Sequence, residues 1–188
     1  MLVVHGDFND TDTRVLSIMW EGLDNVKVFK LGGDNPSGGK KDLITCLEQE
    51  EDTVLFCGHG SSGGLWYPFT TRLYNAWGVY AFTGNDISHV KAKNIIGIWC
   101  HASDFSRLTE CRGFFSSMFV SNGREANYVG IHGVSDEQIT ESEILFCKRV
   151  NELLKNRVPI SEWESKLKSY TLTNAVEAYN YGGLYFKE

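Results

Sequence analysis

Two apolar runs constrain this chain more than anything else in it. Residues 53–65 read Thr-Val-Leu-Phe-Cys-Gly-His-Gly-Ser-Ser-Gly-Gly-Leu, and residues 95–103 read Ile-Ile-Gly-Ile-Trp-Cys-His-Ala-Ser. Short β-branched and apolar runs bounded by glycine read as buried strands, and a parallel sheet buries such runs on both faces. Each run stops at a residue with chemistry: His59 followed by Gly60, and Cys100. In open α/β sheets, reactive groups gather just beyond the carboxyl ends of the strands. The expectation is that His59 and Cys100 emerge side by side from neighbouring strand ends. A thiol beside an imidazole is a nucleophile with its base.

The rest of the chain supplies a fold around those two strands. Leu2–Val4 reads as a first buried strand, leaving Asp7, Asn9, Asp10 and Asp12 in the loop beyond it. Thr11 or Thr13 is placed to cap a helix with Val15, Leu16, Met19 and Leu23 inward. Val26–Leu31 alternates as a second strand, and residues 32–36 form a turn. A helix follows near Lys40–Gln49, with Leu43, Ile44 and Leu47 inward, and Thr53–Cys57 is strand three. Residues 61–86 are irregular, rich in glycine and aromatics, and read as a loop or small hairpin over one edge. Trp66 is the aromatic nearest His59 and the one assigned to substrate.

Asp86–Val90 suggests a short helix, and Asn94–Trp99 is strand four. A helix is expected near Gly113–Ser121, burying Phe114, Phe115, Met118 and Phe119, and a fifth strand at Tyr128–Ile131. Ser135–Asn156 has the pattern of a long amphipathic helix. Ser161-x-x-Glu164 reads as a capping box opening a last helix, and residues 182–186 as a terminal strand. Alternating β and α elements predict α/β architecture: one three-layer α/β/α domain over residues 1–188, with a mostly parallel sheet. A chain of 188 residues is long enough for a real core.

Charge and cysteine content narrow the function classes. A net charge of -6 with no lysine/arginine cluster argues against a nucleic-acid surface. No apolar run approaches the ~18 residues of a membrane-spanning helix. The five cysteines include no C-x-x-C pair and read as reduced thiols, which predicts a cytoplasmic protein. Met1–Asp7 lacks the basic segment of a signal peptide.

Thiol catalysis needs an activated Cys, a base within reach and donors for an oxyanion. The Gly60 N–H is unobstructed, and Cys100 supplies its own. Phe56-Cys57-Gly58-His59-Gly60 and Ile98-Trp99-Cys100-His101-Ala102-Ser103 resemble the two catalytic blocks of the caspase-like cysteine peptidases. That group includes caspases, metacaspases, gingipains, legumain, separase and CHAT-domain proteins. The order of elements is similar from Leu2 to Leu154; specific identity is confined to the two blocks.

The resemblance implies a caspase-like domain hydrolysing peptide bonds through an acyl-enzyme. Cys100 would be the nucleophile, His59 the general base or acid, and Gly60 part of the oxyanion hole. It implies a peptide or protein substrate, a possible regulatory partner and no cofactor or catalytic metal, although some relatives respond to calcium. A substrate-pocket acid can sit at the end of strand one in this group, which selects Asp7, with Asp104 second. The chain departs from the metacaspases in having Ile98 where they carry an acid, and from the caspases in having Ala102 where they keep glycine.

Other chemistries compete. Gly60-Ser61-Ser62-Gly63-Gly64 matches the G-x-S-x-G elbow of serine hydrolases, with Ser62 as nucleophile and His132 as base. Cys57, His59, Cys100 and His101 could supply four metal ligands, without zinc-finger spacing. Arg107 misses the phosphatase spacing after Cys100 by one residue. A catalytically inactive caspase-like binding or regulatory module is the non-enzymatic alternative, with an inert thiol.

Overall fold

The computed structural model describes residues 1–33, 35–68 and 80–188. Phe69, Tyr74, Trp77 and Gly78 of the aromatic-rich segment, and Asp34 of the expected turn, lie outside the described residues. The centre is a six-stranded sheet ordered β2-β1-β3-β7-β8-β9. Its strands are β1 (Leu2–His5), β2 (Lys27–Lys30), β3 (Thr53–Cys57), β7 (Asn94–Ile98), β8 (Gly113–Phe115) and β9 (Tyr185–Lys187). All neighbours run parallel except β8 and β9. A second, three-stranded antiparallel sheet is formed by β4 (Gly60–Ser61), β5 (Gly64–Trp66) and β6 (Tyr80–Phe82).

Period-two alternation splits the main sheet's side chains between two cores. Val3, Leu55, Cys57, Ile96, Ile98 and Phe114 face one cluster; Leu2, Val4, Val54, Phe56, Trp99 and Phe115 face the other. The first core is closed by the 3-10 turn Leu16–Trp20 after α1 (Thr11–Val15), by α5 (Asp136–Lys155) and by α6 (Trp163–Lys168). The second is closed by α2 (Lys40–Gln49), α3 (Ala102–Thr109) and the small sheet. Helices therefore pack on both faces, as expected of a three-layer α/β arrangement. Two further helices, α4 (Gly123–Tyr128) and α7 (Ala175–Gly182), build a satellite core with Val120, Ala126, Ile139 and Val176.

Several local expectations are corrected. The segment expected to be a helix at 113–121 begins as strand β8, because Phe114 and Phe115 point into opposite cores. The strand expected at Tyr128–Ile131 is instead the end of α4 and its following turn. Asn122 caps that helix by accepting from the Glu125 N–H. The first helix is capped by Asp10, not by Thr11 or Thr13. Ser161 caps nothing: Glu162 occupies the cap position of α6, and Glu164 instead accepts from the Phe186 N–H on β9.

Candidate active site

The sheet register aligns the two blocks. Cys57 lies opposite Ile98, and the Gly58 N–H donates to the Ile98 carbonyl at 3.2 Å. The paired strands end there, and His59 and Cys100 each follow two residues beyond. Both fall on the α5 side of the sheet: Cys100 packs against the first core, and both side chains share a cavity with Glu143 of α5. His59 and Cys100 do line one narrow cavity, together with Asp12, Thr13, Leu16, Phe119, Ser121 and Glu143.

His59 leaves its strand through Gly58, whose φ of +141° bends the chain where a Cβ would press on the Gly6 backbone. Its Nε2 lies 2.9 Å from Asp10 Oδ2, and Phe8 packs edge-on against the ring at 4.8 Å. Burial alone would lower the imidazole's pKa. The hydrogen bond and charge of Asp10, with the charges of Asp12 and Glu125, overcome that and raise it. Burial likewise opposes ionisation of Asp10, but His59 and Thr13 bring its pKa down to about 2. Asp10 is the residue that sequence reasoning left among the loop acids. Its signal was the cap spacing to Thr13.

Cys100 is set by a tightly bonded turn. Ser116 Oγ accepts from the Trp99 N–H at 3.1 Å and lies 2.8 Å from the Trp99 carbonyl. His101 adopts a left-handed conformation (φ +65°), gives its N–H to the Ser117 carbonyl and starts α3. The thiol donates to the Phe119 carbonyl at 3.4 Å. Burial, with the charge of Glu125 next, pushes it up to about 12, so Cys100 rests as a neutral thiol. His101 itself turns aside, its Nδ1 3.0 Å from Asp104 Oδ2.

Gly60 lies beneath Trp99. A Cβ there would collide with the indole ring and meet the Gly64 carbonyl at 2.7 Å. The Trp99 Nε1–H donates to the Ser61 carbonyl at 3.0 Å, tying the hairpin to the Cys100 turn. Because the Trp66 N–H pairs with the His59 carbonyl, antiparallel alternation directs the Gly60 N–H away from β5. Gly60 is itself not among the residues lining the cavity.

The other candidates are placed less centrally. Asp7 Oδ1 accepts from the Asn9 N–H at 2.9 Å, and its Oδ2 lies against Gly33. It is not among the residues lining the cavity, whereas Asp12 is. Trp66 sits on β5, joined to His59 through the backbone. Ser62 occupies the two-residue turn between β4 and β5, with a strand rather than a helix after it. His132, its supposed base, instead lies 2.9 Å from Asn127 Oδ1. The serine-elbow geometry is therefore not formed. Among the described residues, no three His, Cys, Asp or Glu side chains converge to hold a metal ion.

No protein-family model, curated protein or solved structure matches the chain.

Proposed function

We propose that this chain is a cysteine peptidase of caspase-like architecture, acting through Asp10, His59 and Cys100. The observation that carries the reading is the shared cavity: a thiol and an imidazole from the ends of adjacent parallel strands line one cleft. The imidazole is oriented by a carboxylate, the nucleophile–base–orienter logic of thiol hydrolases.

In the proposed cycle, His59 takes the Cys100 thiol proton as the sulfur attacks a peptide carbonyl. Asp10 stabilises the resulting imidazolium. The Gly60 and Cys100 N–H groups receive the tetrahedral oxyanion. His59 then passes its proton to the leaving amine, and water releases the acyl-enzyme. The neutral resting thiol fits a mechanism in which the proton leaves only when substrate displaces the Phe119 carbonyl from the sulfur.

One observation favours a second reading, an inert module. The thiol is hydrogen-bonded and its pKa is raised rather than lowered. Reporter peptides carrying arginine, lysine or aspartate before the scissile bond separate the two. Cleavage by the wild type that is lost in Cys100→Ala supports the peptidase. Background rates for every peptide, with no labelling of Cys100 by a peptidyl acyloxymethyl ketone, support the module.

A further inference from the structure

His59 is held by Asp10, and Asp10 in turn depends on Thr13. That threonine is buried and bonds in three directions. Its N–H and hydroxyl both donate to Asp10 Oδ1, at 2.8 and 2.6 Å. Its hydroxyl oxygen accepts the Phe8 N–H at 3.1 Å, and the Phe8 ring packs on His59. Its carbonyl lies 2.8 Å from His5 Nε2. Two groups that touch the His59 ring, Asp10 and Phe8, are therefore tied to Thr13, and Thr13 is tied to His5.

His5 ends β1, which runs between β2 and β3, and its carbonyl accepts the Leu31 N–H at 2.9 Å. Its side chain is 4% exposed, with Trp20 edge-on at 5.2 Å. A carbonyl only accepts, so the Nε2 facing Thr13 carries the hydrogen. Burial lowers the His5 pKa, which keeps the ring neutral in that form near pH 7. Helix α1 has five residues, too few to hold its shape by backbone bonds alone. Its place is set by Asp10 at its start and by His5 against Thr13. We propose that His5 is a positioning residue for His59: its Nε2–H anchors Thr13 to the sheet, Thr13 fixes the Asp10 carboxylate, and the carboxylate sets the orientation of the imidazole. The catalytic consequence rests on the peptidase reading; the relay from His5 to His59 stands without it.

The test follows the His59 ring resonances of the full chain against pH, alongside reporter-peptide kinetics. His5→Phe keeps an aromatic ring against Trp20 but removes the donor. It should lower the His59 pKa and cut kcat about tenfold with KM little changed. His5→Gln, which returns an N–H donor, should restore both. An unmoved His59 pKa in folded His5→Phe, or a fall that His5→Gln does not reverse, overturns the proposal. Should His5→Phe fail to fold, the wild type reports the same relay from its other end, because coupling is reciprocal. The His5 Nε2–H resonance should step at the midpoint of the His59 titration, and the step should vanish in Asp10→Ala. No step, or one that persists in that variant, overturns the proposal. A relayed titration without cleavage of any reporter peptide keeps the positioning role and removes the peptidase. Cleavage with an unaltered His59 titration in His5→Phe does the reverse.

Discussion

Asp10 holds His59 through one carboxylate oxygen and caps helix α1 through the other. Oδ2 lies 2.9 Å from His59 Nε2, while Oδ1 accepts the Thr13 N–H at 2.8 Å and the Thr13 hydroxyl at 2.6 Å. The imidazole is thereby fixed to a helix end, and two substitutions separate the roles. Asp10→Asn keeps an acceptor for the cap but removes the charge. The cap contribution should be largely kept, while the charge-linked contribution of the Asp10–His59 pair is lost and the His59 pKa falls. Asp10→Ala loses both, at a cost of about 0.5–2 kcal/mol for the cap. Ring resonances of His59 followed against pH, alongside urea unfolding, distinguish the two.

The same pair sets an acid limit. Asp10's pKa is lower in the fold than its ordinary value of 3.8, so its contribution is present above that value and lost as pH falls toward about 2. His59's is raised, so its contribution is present below its ordinary 6.5 and fades as pH climbs through the higher folded value. Wild type should therefore exceed Asp10→Asn in stability most clearly near pH 5. Unfolding midpoints from pH 2 to 9 would show it; a constant difference across that range would contradict it.

Glu143 acts in the opposite sense to Asp10. Its pKa of about 9 in the fold lies above the ordinary carboxyl value of 4.5. The unfolded chain releases this proton first, so stability is lost as pH rises from about 4.5 towards 9. Glu143→Gln removes that loss. The variant should be more stable than wild type at pH 8, and the difference should close towards pH 4. A parallel series of urea midpoints checks the crossing.

The turn that presents Cys100 depends on two buried side chains. Ser116→Ala would strand the Trp99 N–H, and Asn180→Ala would release Val120, whose N–H and carbonyl Asn180 holds at 2.7 and 3.0 Å. Each should cost about 1–3 kcal/mol. Each should also speed alkylation of Cys100 by iodoacetamide, because the Phe119 carbonyl is no longer held on the sulfur. Unfolding and timed mass spectrometry together separate lost stability from local release.

Gly60→Ala places a methyl against the Trp99 ring and the Gly64 carbonyl. Overpacking of this kind costs about 1–3 kcal/mol. The expected signature is a lowered unfolding midpoint with a changed Trp99 fluorescence. An unchanged midpoint would mean that the hairpin yields without strain.

Much of this arrangement is legible in the amino-acid order, for identifiable reasons. Strands β1, β3 and β7 are continuous apolar runs, and α2 and α5 repeat at helical spacing, so periodicity alone reads them. Phe114-Phe115 defeats periodicity because a two-residue apolar run fits either period. The α4 and α7 helices are too short to show one, yet Asn122-x-x-Glu125 and Asn174-x-x-Glu177 carry the cap signal, each Asn accepting the N–H three residues on. At the site, His59 and Cys100 follow from strand ends. Asp10 and Glu143 do not, because tertiary packing of α1 and α5 against the sheet is what brings Asp10 onto His59 and Glu143 into the cleft.

Covalent capture provides the most direct measurement. Peptidyl acyloxymethyl ketones carrying arginine, lysine or aspartate, incubated with the chain at pH 7.5 and followed by intact mass and peptide mapping, should include one that gives a single adduct, located on Cys100. It should be absent in Cys100→Ala and slowed in both His59→Ala and Asp10→Asn. An unmodified protein, or an adduct formed equally well without His59, would mean that the imidazole and the sulfur share a cleft but not a reaction.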